Sequence, residues 1–224
     1  MSDVELYYYA TCPYAQRTRM MLIEKGIPFD ATLVDMAKDR DWYLKISPYG
    51  KVPCVRHNDH TLYESSIINQ YLEDVFPDPA FLPSDPYQKA QVRIWMHYCD
   101  EYYGKASFAL NLAYKSPDTW EAKIKDLLEC LRFIDQEGLR KLSDGPFWLG
   151  DRPSLLDMHY SPFMERLPAY EEIFGFSIPE ECDRLKAWMT AMQDLRSYKE
   201  TALDTGAHVE QLIDFMEMLA ARRG

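Results

Sequence analysis

The sequence predicts a small α/β unit followed by a larger all-helical one. Three observations carry that prediction. Residues 4–76 alternate strand-like and helix-like patterns in the order β-α-β-α-β-β-α. The stretch "PDPAFLPSDP" then places four prolines in ten residues, the composition of a boundary. From Tyr87 onward no convincing strand pattern remains.

Residues 4–9, "VELYYY", are apolar and aromatic and read as a buried strand. Residues 13–25 read as a helix, with Pro13 at the first helical position, where its missing N–H costs nothing. Lys25 gives a cationic last turn and Gly26 a stop. "PFDATLVDM" reads as a second strand, and "RDWYLKISP" as a short helix ended before Pro48. "VPCVRHN" and "HTLYES" flank a polar turn and read as a hairpin. "ESSIINQYLEDVF" carries Ile67, Ile68, Tyr71, Leu72 and Val75 on one helical face. The domain boundaries expected are 1–78, a linker at 79–87, and 88–224.

The second unit reads as helices over 87–115, 118–142, 154–174, 178–195 and 207–223. "PSLLDMHY" places Ser154 three residues before Asp157, a capping box with Asp in place of Glu or Gln.

Composition narrows the function classes. The chain has 224 residues, 47% of them apolar, enough for a proper core. Net charge is −11; residues 1–80 carry 12 acidic and 8 basic side chains and the rest carry 24 and 17. Neither half has a basic excess, which argues against nucleic acid as a partner. No apolar run approaches the ~20 residues that span a bilayer, so no membrane partner is expected. A strand pattern begins within a few residues of Met1, so no signal peptide is expected. Five scattered cysteines do not form a disulfide framework, and a reducing, cytoplasmic setting is expected.

The chemistry centres on Cys12, between a strand end and a helix that opens on Pro13. Unpaired amides and the positive end of a helix dipole stabilise an anion there. Thiols in that setting have pKa values lowered to roughly 3.5–7.5. A reactive thiolate at neutral pH is expected, with Arg17 and Arg19 adding positive charge. In "CPYA" the position where a dithiol exchanger carries its resolving cysteine is Ala15. Cys12 can therefore form a mixed disulfide but cannot close it internally. The second thiol must come from outside, and glutathione is the obvious small one.

"TCPYAQRTRMML", "SPYGKVPCV", "LYESSIINQYLED", "LPSDPYQKAQ", "PSLLDMHYSPFMERL" and "LKAWMTAM" together resemble the cytosolic glutathione transferases, and the omega class most. The likeness covers nearly the whole chain. It implies a thioredoxin-like domain joined to an all-helical domain, glutathione as co-substrate and a homodimer. Residue by residue, Cys12 matches the catalytic cysteine. Val52 and Pro53 match the Val and cis-proline that present a backbone to the cysteinyl unit of glutathione. Glu64 and Ser65 match the pair that holds the γ-glutamyl end, and Tyr14 an aromatic beside the site. The family's lysine for the glycyl carboxylate falls at Asp39 here; of the flanking bases Lys38 and Arg40, Lys38 is taken. Cys54 is read either as a small strand residue or as a second redox thiol.

The acceptor substrate of such proteins lies between the domains. Trp95, Tyr98 and Tyr102 share a helical face, and with Tyr103 and Trp188 they are the candidate lining. The same face could instead be core. His57 and His60 read as surface turn residues; His97, His159 and His208 are isolated, and no metal site is expected. The leading function is a glutathione-dependent thiol transferase or reductase. Conjugation, lyase or dehalogenase chemistry on aromatic substrates is the alternative within the class, with Thr11 or Tyr9 as the hydroxyl. A non-enzymatic regulator of the same fold is the alternative outside it, and a zeta-type isomerase ranks below both for want of a Ser-rich run before Cys12. The physiological acceptor is not written in these residues.

Overall fold

The computed structural model of the chain describes residues 3–222. β1 (Val4–Tyr8), α1 (Pro13–Glu24), β2 (Asp30–Leu33), α2 (Arg40–Ile46), β3 (Cys54–His57), β4 (His60–Tyr63) and α3 (Ser65–Val75) follow the order expected. They build one mixed sheet, β2-β1-β3-β4. β1 runs parallel to β2, which requires the α1 crossover, and antiparallel to β3. β3 and β4 form a tight hairpin in which Asn58 takes the left-handed backbone at φ 53°.

The period-2 alternation of β1 sorts its side chains between two cores. Leu6 sits opposite Val55, and both pack with Met20, Met21 and Leu22 of α1 and Ile68 and Leu72 of α3. Tyr7 sits opposite Cys54, and both pack with Tyr43 of α2, Val34 and Val52. His57 corrects the surface reading. It is buried at the end of β3, with Nδ1 2.8 Å from the Tyr71 hydroxyl. Lys25 is likewise no solvated cation. It is buried, pairs with Glu73 at 2.7 Å and donates to the Pro79 carbonyl at 2.6 Å. The Glu73 carboxylate also takes the amides of Phe81 and Leu82, so the proline-rich connection is pinned to α3.

The second unit is helical among the described residues. α4 (Pro86–Tyr98), capped by Asp85, runs through a π-helical turn at Cys99–Tyr103 into α5 (Gly104–Leu112). α6 (Trp120–Phe133) runs through a second, Ile134–Leu139, into α7 (Arg140–Leu142). α8 (Leu155–Met164), α9 (Leu167–Phe174), α10 (Asp183–Met192), α11 (Arg196–Thr201) and α12 (Thr205–Ala221) complete it. The single helix expected at 154–174 is two, because Pro168 has no N–H to continue the ladder and the chain turns at Glu165–Arg166. Residues 178–182 lie outside α10, and α11 was not expected at all. The last helix is described to Ala221; Arg223 lies outside the described residues.

The capping box at α8 is present. Asp157 reaches back to the Ser154 amide at 2.7 Å, and also accepts from the Trp148 amide at 3.1 Å and Trp188 Nε1 at 2.7 Å. One buried carboxylate thus ties α8, α10 and the preceding loop together.

α1 joins the two units. Arg17, fully buried, donates to the His159 carbonyl at 2.8 Å, Asp100 Oδ1 at 2.8 Å and Ser65 Oγ at 3.4 Å. Burial pushes the Asp100 carboxyl up, but the His159 bond and the Arg17 charge more than offset this and hold it at about 2. Burial, then the Arg17 charge, drives the His159 imidazole down to about 4.

Two predictions follow from these contacts. Asp157→Ala leaves two amides and an indole N–H without their acceptor, so it lowers stability by about 3 kcal/mol or more, read from the urea midpoint. A loss under about 1 kcal/mol would show that water replaces the carboxylate. The second concerns acid. As pH falls, the unfolded chain protonates its histidine near ~6.5, whereas folded His159 holds out to about 4. Across that window protons favour the unfolded chain, so the urea midpoint falls from pH 6.5 towards 4, and Asp100 extends the loss below it. His159→Gln makes that limb shallower; an unchanged slope in the variant would exclude His159 as its source.

Candidate active site

Cys12 is the N-cap of α1, in extended backbone at φ −82° and ψ 118°. Its thiol lies 3.8 Å from the Val52 carbonyl, and the Val52–Pro53 bond is cis. The amides of Ala15 and Tyr14 point at the sulfur, and Arg166 and Arg17 add positive charge. The amides and Arg17 were expected to stabilise a thiolate; Arg166 was not, and Arg19 instead lies over the Tyr8 ring, 4.8 Å from its centroid. Burial nevertheless outweighs the amides, Arg17 and Arg166, and the Cys12 thiol is pushed above its ordinary value. The expected lowering is therefore corrected: in this structure desolvation of the sulfur is the largest influence on it.

Ser65 begins α3, whose first amides have no intrahelical acceptor. Glu64, just before it, holds a left-handed backbone at φ 70°, uncommon for a residue with a side chain. Arg17 stands behind Ser65 and ties it to Asp100. Tyr14 is half exposed, its ring edge-on to Phe163 at 5.2 Å, with Arg17 5.1 Å from its centroid. Cys12, Tyr14, Val52, Pro53, Glu64 and Ser65 thus come from the ends of β1 and β4, the starts of α1 and α3, and the turn before β3. Lys38 stands apart from them. It is exposed and paired with Asp35 at 3.0 Å, while Asp39 accepts from the Asp35 amide and Trp42 Nε1 at the start of α2.

A cavity of about 460 Å³ opens beside Cys12 between the sheet unit and the helices. Its walls come from the β1–α1 turn, α5, α8, α9 and α12, and include Tyr103, Phe108, Phe163, Arg166, His208 and Phe215. Four of the acceptor residues expected from the sequence are elsewhere. Trp95, Tyr98 and Tyr102 do share a face, with Tyr98 stacked on Tyr102 at 4.9 Å, but that face meets Phe133 of α6. Trp95 and Tyr98 line a separate outward groove with Tyr87, Ile94 and Phe133. Trp188 is fully buried on Asp157. Of that group only Tyr103, inside the π turn, faces the cavity.

Cys54 is fully buried at the start of β3, beside Tyr7 of β1, and burial pushes its thiol up to about 11. It packs as a small strand residue. Cys99, Asp100 and His159 place ligand atoms within 4.8 Å of one another, but Arg17 donates to both Cys99 Sγ and Asp100, so a cation already holds that position.

Arg166 was not singled out in the sequence and His208 was read there as isolated; both line the cavity. Their signal was present: "MER" interrupts an apolar run just before Leu167–Pro168, and His208 opens an amphipathic helix. Arg166 donates to the Thr11 carbonyl at 3.1 Å, to Gln16 Oε1 at 3.2 Å, and to the Pro162 carbonyl. His208 Nε2 lies 2.6 Å from Glu165 Oε1, and Glu165 in turn takes Gln16 Nε2 at 2.6 Å.

Comparison with known proteins places this geometry. The family models described as "Glutathione S-transferase, N-terminal domain" and "Glutathione S-transferase, C-terminal domain" match residues 11–75 and 117–191. The "Probable glutathione S-transferase parC" of Nicotiana tabacum is 30% identical over 94% of this chain and 92% of its own. The crystal structure of the tau class glutathione S-transferase MiGSTU from mango, Mangifera indica, superposes with a TM-score of 0.85 at 27% identity, covering 96% of this chain and 98% of that one. Glutathione transferase Omega 3C from Trametes versicolor superposes at 0.81 with 29% identity, covering 91% and 90%. The tau-class protein is thus as near as the omega-class one, and the omega resemblance read from the sequence is narrower than these likenesses. The chain belongs to the glutathione S-transferase family, in which glutathione is the co-substrate.

Proposed function

We propose that the protein is a glutathione-dependent thiol transferase working through a mixed disulfide at Cys12. The observation that carries this reading is the thiol itself: Cys12 caps α1 at the cavity wall, and Ala15, fully buried, stands where a resolving cysteine would be. The Cys12 thiolate attacks the glutathionyl sulfur of R–S–S–G. The old S–S bond breaks, RS⁻ leaves and takes a proton, and Cys12–S–S–G forms. A glutathione thiolate then attacks that disulfide, releasing glutathione disulfide and restoring Cys12. With dehydroascorbate as acceptor, two glutathione molecules supply two electrons and two protons, giving ascorbate and glutathione disulfide.

The remaining roles follow the site. The Val52 backbone pairs with the cysteinyl unit, Ser65 and the first amides of α3 take the γ-glutamyl carboxylate, and Glu64 takes its ammonium. Tyr14 flanks the tripeptide. Lys38, exposed and paired with the Asp35 carboxylate, is the base for the glycyl end. The same reading carries a homodimer in a reducing cytoplasm, which light scattering of the purified protein tests.

A second reading, conjugation to an electrophilic aromatic, draws on Tyr9 and Thr11 at the cavity wall and on the likeness to a tau-class protein. Burial raises the Tyr9 phenol, so it stays protonated and able to donate to a bound thiolate.

Intact mass after incubation with oxidised glutathione separates the two. One glutathione adduct is expected on wild type and on Cys54→Ala, and none on Cys12→Ala; an adduct that survives in Cys12→Ala would sink the mechanism. Steady-state turnover should favour a glutathionyl mixed disulfide over 1-chloro-2,4-dinitrobenzene, and the reverse preference would establish conjugation. The raised Cys12 thiol adds a pH signature. Alkylation by iodoacetamide should reach half its maximal rate above the ~8.5 of a free thiol, so thiol transfer speeds up from pH 7 to 9. A midpoint below neutrality would mean that the α1 amides outweigh burial in solution.

A further inference from the structure

The cavity beside Cys12 has a charge that does not match the protein around it. The chain carries a net −11, yet no aspartate or glutamate lines this cavity among the described residues. Among the described residues its one lining arginine or lysine is Arg166, 7% exposed. Burying a guanidinium is costly unless an anion or a full set of acceptors meets it. Arg166 has five N–H donors. Three are taken by the carbonyls of Thr11 and Pro162 and by Gln16 Oε1, all neutral. The adjacent carboxylate, Glu165, is turned to Gln16, the Leu203 amide and His208. Among the described residues no carboxylate is hydrogen-bonded to this buried cation.

Two polar atoms on the lining are without partners. Asn111 Oδ1 and His208 Nδ1 are buried and unbonded, in residues 6% and 1% exposed. With Nε2 engaged by the Glu165 carboxylate, the unbonded Nδ1 is the ring nitrogen left to meet a ligand. The rest of the wall is mostly aromatic: Tyr103, Phe108, Phe163 and Phe215 bring rings from α8, α12 and the helix through α5. Such walls accept a flat ring, and isolated polar atoms among them fix its orientation.

We propose that this cavity is a subsite for a hydroxylated aromatic acid, its carboxylate on Arg166 and its hydroxyl donating to Asn111 Oδ1 or hydrogen-bonded to His208 Nδ1. The assignment rests on reading the cavity as the acceptor site, and names the class of acceptor, or of acceptor moiety, that it takes.

The test is calorimetric titration of the wild-type protein at pH 7 with 4-hydroxycinnamate, its methyl ester and cinnamate. The acid should bind at least about tenfold more tightly than the ester, since a charge-assisted bond to a buried guanidinium is lost. Cinnamate should fall between them. Arg166→Gln should erase the difference between acid and ester, and Asn111→Leu the difference between 4-hydroxycinnamate and cinnamate. If Arg166→Gln does not fold, the wild-type comparison of acid with ester still decides. An ester that binds as tightly as the acid, or an acid–ester difference that persists in folded Arg166→Gln, overturns the proposal. The outcome is independent of the mixed disulfide. A Cys12 adduct without selective binding of the acid refutes the subsite and leaves the thiol chemistry standing. Selective binding without an adduct supports the subsite and refutes the thiol chemistry.

Discussion

Gln16 and Arg17 are neighbouring polar residues on α1, and both are buried. A helix that buries an amide and a guanidinium must find acceptors for every N–H it hides. The sheet unit cannot supply them all. Gln16 takes the Glu165 carboxylate and accepts from Arg166, while Arg17 takes the His159 carbonyl and Asp100. The helical unit is thereby held against the start of α1, where Cys12 lies. The break between α8 and α9 belongs to the same constraint. Without it Glu165 and Arg166 would continue the spiral of α8 rather than lie against α1.

The sheet unit was legible because its signals are local. Pro13 opens α1, Gly26 follows it at φ 65°, and the alternation in "VELYYY" sorts Leu6 from Tyr7. The Ser154–Asp157 box was legible for the same reason. The acceptor wall was not. Helical spacing puts Trp95, Tyr98 and Tyr102 on one face, and they do share one, but periodicity does not say whether that face meets a cleft or another helix. The π turn at Cys99–Tyr103 adds a residue to its turn, which single-sequence spacing does not reveal. Arg166 and His208 acquire meaning only when α8, α9 and α12 are brought to the start of α1. α11, of six residues, is too short to leave a periodic signature.

Cys12 shows two general rules in competition. Helix-terminal amides and nearby cations favour an anionic sulfur, while removal from water favours the neutral thiol. Position in the sequence reveals the first influence and hides the second, since desolvation depends on Val52, Tyr14 and the helices across the cavity. Cys54 and Cys12 make the contrast plain. Both thiols are raised by burial, but only Cys12 has amides and guanidinium groups working against it.

α12 supplies His208, Leu212 and Phe215 to the cavity wall but none of the residues assigned to glutathione. It is therefore a helix whose inner face shapes the cavity. Substitutions at Leu212 and Phe215 can change the shape of the cavity without touching α1, whereas His208 is tied through Glu165 to Gln16 and so to the start of α1.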